Sequence, residues 1–196
     1  MKKNEQCQLD IVILSYNVCQ QLEACLKSLS EDSEFSNWKI WVVDNASSDD
    51  SMAMVKKKFK SVEIIQSPVN VGFSAGNNLV KERVNSEYIL FLNPDTIVPV
   101  GTITHIFDKL SADSTIGAIT CKVELPDGRL DDSCHRGFPT PWNALCHFGG
   151  LSRVFPKNKW FSGYQMGYLD LDTEHEIESL TGAFMMMRKR MADQVG

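Results

Sequence analysis

No apolar run in this 196-residue chain approaches the length of a membrane span, and none follows the opening M-K-K-N-E-Q-C-Q as the core of a secretory leader. Cationic excess is also missing. Twenty Lys and Arg against 25 Asp and Glu leave a net charge of −5, so no basic surface argues for nucleic acid. The six cysteines (Cys7, Cys19, Cys25, Cys121, Cys134 and Cys146) include no C-x-x-C. They read as reduced residues rather than a disulfide framework. Cys134-His135 and Cys146-His147 repeat a pair, but adjacent Cys and His do not match the spacing of structural zinc sites. Neither G-x-G-x-x-G nor a Walker A pattern occurs, which removes support from dinucleotide and P-loop readings. Linkers, internal repeats and low-complexity tracts are absent too. What remains is a soluble, cytoplasmic chain of ordinary globular composition, 43% apolar and 23% charged, long enough for one domain with a real core.

The most informative stretch that is present runs from Tyr88 to Thr96, Y-I-L-F-L-N-P-D-T. Ile89–Leu92 is short and apolar on both faces, as in a central parallel strand. Pro94 then forbids a further ladder bond, and Asp95 falls where the chain must turn away. A carboxylate there stands where open α/β sheets place their ligands. Alone, Asn-Pro-Asp would be only a turn.

Other strands end the same way. Leu9–Leu14 closes on Ser15-Tyr16-Asn17, and a helix from Val18 carries Leu22, Cys25, Leu26 and Leu29 as one stripe. Trp38–Val43 closes on Asp44-Asn45. Ser47 and Asp50 suggest a capping box for a helix reaching about Lys60, its lysines complementing the dipole. Val62–Gln66 is a third strand, and Ser67–Gly72 turns into a helix carrying Asn77 and Asn78. After the central strand, Gly101–Leu110 forms a helix with Ile103, Ile106, Phe107 and Leu110 on one face. The alternation predicts an α/β fold with a mostly parallel sheet flanked by helices. Its strand ends, with the Pro68–Gly72 turn, should converge on one crevice.

Beyond Ile116 the pattern weakens. Ile116–Leu125 reads as a strand before the Pro126–Arg129 turn, and Ser133–Gly167 as a loop-rich region shaping a cleft. Glu176–Met187 reads as a strand broken at Thr181-Gly182, with Glu174, Glu176 and Glu178 on its solvated face. A helix opens over Arg188–Gln194. His135-Arg136 suits either a phosphate or acceptor contact or a surface loop. The chain is expected to form one catalytic domain, residues 1–112 holding a nucleotide and 113–196 facing an acceptor.

Acids, amides and a glycine-opened helix start suit a nucleotide held with a divalent cation. Asp95 can hold Mg²⁺ or Mn²⁺, which prefer oxygen ligands. Asp44 can accept a hydrogen bond from a base or ribose.

With those residues in hand, the sequence resembles the family-2 inverting glycosyltransferases, rhamnosyltransferase-like members above all. The matching stretches are I-V-I-L-S-Y-N (Ile11–Asn17), V-V-D-N-A-S-S-D-D-S (Val42–Ser51), N-V-G-F-S-A-G-N-N (Asn70–Asn78), L-F-L-N-P-D-T (Leu90–Thr96) and T-G-A-F-M-M-M-R (Thr181–Arg188). Each is weak alone; their order is specific. The resemblance implies a GT-A fold, a nucleotide-diphosphate sugar donor, a divalent cation, and a glycan or lipid-linked acceptor in bacterial cell-surface polysaccharide synthesis. It implies that Ser15, Tyr16, Asp44 and Asn45 line a nucleoside pocket, with Asn17 beside them. Asn70, Gly72, Gly76 and Asn77 would border base and phosphates. Asp95 would take the metal with Asn93 beside it, and Thr181-Gly182-Ala183 would lie on the acceptor side.

Two departures from the family pattern stand out. Asn93 replaces the first acid of the D-x-D-type motif, so the cation would lean on Asp95 and the donor phosphates. The Glu-Asp motif carrying the family's base would fall just past Gly196. The chain is therefore expected to be a shortened form of a longer enzyme that binds donor but transfers poorly. An apolar surface opened by such a loss would favour homo-oligomers. Peripheral attachment at the inner face of the membrane fits a lipid-linked acceptor. The rival readings are a nucleotide-sugar-binding or assembly module, and a sugar-phosphate nucleotidyltransferase. The latter should show an early glycine-rich basic loop, and Ile11–Cys19 has none.

Overall fold

A computed structural model describes residues 9–195 of the chain. Cys7, the residues read against a leader, and Gly196 lie outside the described residues. The described chain divides into two compact units, one running to Ile119 and resuming at Gly182, the other Thr120–Thr181.

The first unit is built on a six-stranded sheet, β1 (Leu9–Ser15), β2 (Lys39–Asp44), β3 (Glu63–Gln66), β4 (Tyr88–Leu92), β5 (Ala118–Ile119) and β6 (Phe184–Arg188), in the order β3-β2-β1-β4-β6-β5. β1 to β4 are mutually parallel, and β6 runs antiparallel between β4 and β5. The mostly parallel sheet expected from the sequence is present. Alternation divides its side chains between two faces. Val12, Trp41, Val43 and Ile89 pack with Val80 and Val84 on one face. Ile11, Ile13, Ile40, Val42, Leu90 and Leu92 project to the other and are as fully buried. Burial on both sides is what makes these strands continuous apolar runs.

The helices of this unit are α1 (Cys19–Ser30), α2 (Ser51–Lys58), α3 (Phe73–Asn78), α4 (Thr102–Ala112) and α7 (Lys189–Val195). In α1 the buried side chains are Leu22, Cys25, Leu26, Ser28 and Leu29, the expected stripe plus one hydroxyl. α2 begins at Ser51, later than the capping-box reading placed it, and Asp50 makes no side-chain cap bond. Ser47 accepts a bond from the Asn17 backbone N–H instead. The lysines do crowd the last turn, where Lys58 pairs with Glu23.

Two charged side chains are buried toward the other edge. Asp10 accepts from Trp41 Nε1 at 2.6 Å and from the Ser86 N–H at 3.0 Å. Arg188, 6% exposed, donates to the carbonyls of Leu110 (2.6 Å), Asp113 (3.0 Å) and Ile116 (3.1 Å) and to the Tyr88 hydroxyl (3.0 Å). It thereby caps the orphan carbonyls at the end of α4.

Three strand expectations need correction. Of Ile116–Leu125 only Ala118–Ile119 joins the sheet. Further on, Glu124 bridges to Leu130 across a turn in which Gly128 takes a φ of +80°, so the turn wins over strand extension. Of Glu176–Met187 only Phe184 onward is strand. Glu174, Glu176 and Glu178 therefore do not share a strand face. Glu178 spends its carboxylate on the Phe138 N–H.

The second unit is less loop-like than its composition suggests. It holds α5 (Pro141–Phe148) and α6 (Leu151–Val154). Thr140 caps α5 by accepting from the Asn143 N–H at 3.1 Å, with proline at the first turn, a start signal the aperiodic sequence around it obscured. His135 Nδ1 faces the Gln165 carbonyl at 3.0 Å and His175 Nδ1 the Thr173 carbonyl at 2.8 Å, while the two Nε2 atoms meet at 2.8 Å. Burial, the largest influence, holds the His135 pKa below its usual value. His135 is thus paired with His175, and Cys134 Sγ with the Val123 N–H.

Candidate active site at the carboxyl edge of the sheet

Register brings the polar strand ends together. Ser15 stands level with Asp44, Asp44 with Gln66, and Leu92 with Ile13 on the neighbouring strand. Asp44 and the segment following Leu92 therefore share one edge, about 10 Å apart across β1 at ordinary strand spacing.

Hydrogen bonds tie three of the four loops into one network. The Asn45 N–H donates to the Ser15 carbonyl (2.9 Å) and the Ser67 N–H to the Asp44 carbonyl (2.8 Å), extending the ladder past the strands. Asp44 is buried, and its carboxylate accepts from the Ser47 N–H at 2.9 Å and Gln66 Nε2 at 3.1 Å. Each oxygen keeps capacity for one more donor. Asn45, 3% exposed, donates through Nδ2 to Asn70 Oδ1 (2.9 Å) and the Gly72 carbonyl (3.4 Å). Its Oδ1 accepts from the Val71 N–H at 2.9 Å, and Asn70 Oδ1 also accepts from the Gly72 N–H at 3.0 Å. The two amides thus clamp the turn that opens α3. Gly72 at its apex has a φ of +82°, a conformation that glycine adopts without strain.

On the β1 side, Asn17 adopts a left-handed conformation (φ +53°) and its Oδ1 accepts from the Ser48 N–H at 2.8 Å. The Cys19 N–H donates to Asp49 Oδ2 at 3.0 Å. Burial opposes the charge on Asp49, but bonds from Ser51 and from backbone N–H groups outweigh it and hold its carboxyl below the usual value. Tyr16 projects outward, 48% exposed. Gly76 and Asn77 face inward. A Cβ on Gly76 would lie 2.6 Å from Leu14 Cδ1, and Asn77 Nδ2 donates to the Phe73 carbonyl at 3.0 Å.

The fourth loop leaves β4. The Asn93 N–H donates to the Ala183 carbonyl at 3.0 Å, and Thr96 Oγ1 reaches the same oxygen at 3.4 Å. Farther along, Ser28 Oγ accepts from the Val98 N–H (3.1 Å) and Asp32 Oδ2 from the Gly101 N–H (2.7 Å). Between these anchors Asp95 is exposed, and among the described residues its carboxylate carries no hydrogen bond or ion pair. It is close enough to Cys25 to be felt. Burial, with the Asp95 charge adding to it, pushes the Cys25 thiol up to about 12.

Among the described residues no group of three or more His, Cys, Asp or Glu could hold a metal by itself. Asp95 and the Asn93 amide oxygen could supply a sparse, all-oxygen donor set. That fits a hard divalent cation whose other positions are filled by phosphate oxygens and water. Asp49 and Gln66 support the rim but were not singled out from the sequence, while Ser47 was read as a helix cap and Ala183 as an acceptor-side residue. For Asp49 a signal existed in the tandem acids after β2, which instead read as the start of a helix.

A parallel strand edge bearing amides, a buried acid and an exposed carboxylate is the kind of rim at which α/β sheets place their ligands. Solved structures with this architecture are GT-A glycosyltransferases. One is the mannosyltransferase PcManGT of Pyrobaculum calidifontis, in complex with GDP-Man and Mn²⁺ (TM-score 0.63, 15% identity, 96% of this chain and 46% of that one). Another is S. aureus TarS 1-349 in complex with UDP-GlcNAc (TM-score 0.56, 18% identity, 69% of this chain and 38% of that one). The family model Glycosyl transferase family 2 matches residues 10–196, and the chain belongs to that family. A curated relative, the SPbeta prophage-derived glycosyltransferase SunS of Bacillus subtilis (strain 168), is 29% identical over 163 residues, covering 80% of this chain and 36% of SunS. The chain thus spans less than half the length of each of these three proteins.

Proposed function

We propose that this rim binds a nucleotide-diphosphate sugar with Mn²⁺ or Mg²⁺, and that the protein transfers the sugar with inversion to a glycan or lipid-linked acceptor. Rhamnose carried on dTDP and UDP-linked sugars are the donors proposed, and bacterial cell-surface polysaccharide the product, made on the cytoplasmic side of the membrane. The observation that carries the reading is Asp95, an uncommitted, exposed carboxylate on an anchored loop beside the clamped Asp44–Asn45–Asn70 network. The complexes of neighbouring folds with GDP-Man and with UDP-GlcNAc support the donor class.

In this reading Ser15, Tyr16 and Asp44 receive the nucleoside, Asp44 through the spare acceptor capacity of its oxygens. Asn45 and Asn70 hold the Val71–Gly72 turn, and Gly72 leaves the start of α3 open to the diphosphate. Gly76 and Asn77 act by packing α3 against β1. Asp95 and Asn93 hold the cation, which when bound neutralises negative charge on the departing diphosphate. Fixed anchors on both sides of Asp95 keep that charge in place without reorganisation. Thr181-Gly182-Ala183, of which Ala183 accepts from the Asn93 N–H, stands on the acceptor side in this reading.

Titration of UDP and dTDP with and without Mn²⁺ tests the reading. The expected result is cation-dependent binding of at least one nucleotide, lost in Asp95→Asn. Equal binding by that variant in Mn²⁺ would remove Asp95 from the metal site.

A further inference from the structure

Within the unit Thr120–Thr181, the segment from Arg153 to Trp160, R-V-F-P-K-N-K-W, is exposed at every residue. Trp160 is 78% exposed, and Phe148 at the end of α5 is 86% exposed. Trp142, Leu145 and Phe148 recur every three residues, so α5 carries an exposed apolar strip. The strip and the segment adjoin. Trp142 Nε1 donates to the Trp160 carbonyl at 2.8 Å, and both Trp142 and Phe155 contact the Phe161 ring (centroids 6.4 and 5.3 Å).

Charge sorts with this patch. From Ser133 to Leu169 the chain has no Asp or Glu but contains Arg136, Arg153, Lys157 and Lys159, within a protein of net charge −5. Arg153, Lys157 and Lys159 lie in the exposed segment itself, Lys159 with its ammonium 5.8 Å from the Tyr168 ring centroid. Lysines are depleted at protein–protein interfaces, whereas aromatic rings flanked by Lys and Arg are the composition of a bilayer interface.

The polar atoms are also prepared for an apolar layer. The Trp142 indole N–H is satisfied internally. The backbone N–H groups of Val154, Phe155 and Asn158 donate to carbonyls of the same unit, and that of Trp160 to Asn158 Oδ1. Entering headgroups would therefore strand few donors.

We infer that the α5–α6 surface is an interfacial anchor for an anionic lipid bilayer, Trp142, Phe148 and Trp160 entering the headgroup layer while Arg153, Lys157 and Lys159 meet lipid phosphates. Among the described residues no helix is long and apolar enough to cross a membrane, so this attachment lies on the surface. It does not depend on which donor or acceptor the protein uses.

Cosedimentation with vesicles of phosphatidylcholine alone, and of phosphatidylcholine mixed with phosphatidylglycerol, tests this on the whole 196-residue chain. The expected result is binding to the anionic vesicles only, weakened as salt rises from ~0.1 to ~0.5 M. Removing a cation near an anionic surface lowers affinity about fivefold, so Arg153→Gln/Lys157→Gln/Lys159→Gln should lose on the order of a hundredfold. Trp160→Ser should weaken binding and reduce the blue shift of tryptophan emission on adding vesicles, with Trp142 supplying the remainder. All four side chains are exposed, and an unchanged melting temperature confirms folding. Absence of binding to phosphatidylglycerol vesicles, equal binding to both compositions, or full binding by the triple variant would overturn the inference. So would a patch whose substitutions alter only self-association of the free protein.

Discussion

Replacing Asn45 by aspartate changes one nitrogen for an oxygen at the centre of the clamp, and the structure says what that should cost. The new carboxylate could still accept from the Val71 N–H, but it would turn an acceptor toward Asn70 Oδ1 and the Gly72 carbonyl, which Nδ2 now serves at 2.9 and 3.4 Å. Asn70 cannot relieve the conflict by rotating its amide, because its Oδ1 also accepts from the Gly72 N–H. One net hydrogen bond lost is worth about 1 kcal/mol, and a buried acceptor left facing acceptors adds about 1–3 kcal/mol. The expected deficit at pH 8 is therefore about 3 kcal/mol, or a melting temperature lower by about 6–12 °C for a chain of this size.

The pH dependence distinguishes this cause from simple loss of packing. Protonated, residue 45 again has a hydrogen to give Asn70. Its folded pKa should therefore be raised above the unfolded value of about 3.9. The penalty is then absent below that value and grows by about 1.4 kcal/mol per pH unit until the folded pKa is passed. Thermal unfolding of wild type, Asn45→Asp and Asn45→Ala between pH 4 and 8 is the assay. The aspartate variant should converge on wild type at low pH while the alanine variant keeps a constant deficit. An aspartate variant as stable as wild type at pH 8, or with a deficit flat in pH, would refute the account of the clamp.

Arg188→Met should lower stability by about 3–5 kcal/mol in denaturant unfolding, because it orphans the carbonyls of Leu110, Asp113 and Ile116; a loss under 1 kcal/mol would show that water takes over their bonds. Cys25, fully buried with its thiol at about 12, should resist iodoacetamide at pH 8 in the folded protein. Mass spectrometry showing Cys25 alkylated as fast as in the unfolded chain would contradict the packing around it. Ser28→Ala removes the hydroxyl that holds the Val98 N–H, so Mn²⁺-dependent nucleotide affinity should fall severalfold while Asp95 itself is intact; unchanged affinity would show that the other anchors suffice.

The parallel core was legible because both its faces are covered. β1, β2 and β4 read as apolar runs, and the polar residue closing each announced the rim. The Ser47–Asp50 stretch was misread because Ser and Asp after a strand serve equally as helix cap and as loop clamp. Only the position of Asn17, remote in sequence, decides between them. The ends of β5 and β6 failed for another reason. Alternating residues at Ile116–Leu125 and Glu176–Ala183 have strand character, but backbone pairing there is limited by the neighbour available. Thr140-Pro141 was readable as a helix start and was hidden only by the aromatics around it. The roles of Asn45 and Asn70 as each other's partner, rather than a ligand's, could not be read from composition, since an amide looks alike in either use.

Among the described residues, β6 and the carbonyl just before it fasten both ends of the stretch that runs from Asn93 through α4. Its leading residue, Phe184, follows the carbonyl that secures Asn93, and its last, Arg188, grips the far end of α4. Register shifts in antiparallel strands come in steps of two, so a slip would dislodge both fastenings at once. The stretch that carries Asp95, from Asn93 through α4, is in effect strung between the two ends of a single ruler, and damage at the methionines of β6 should be felt as a misplaced carboxylate.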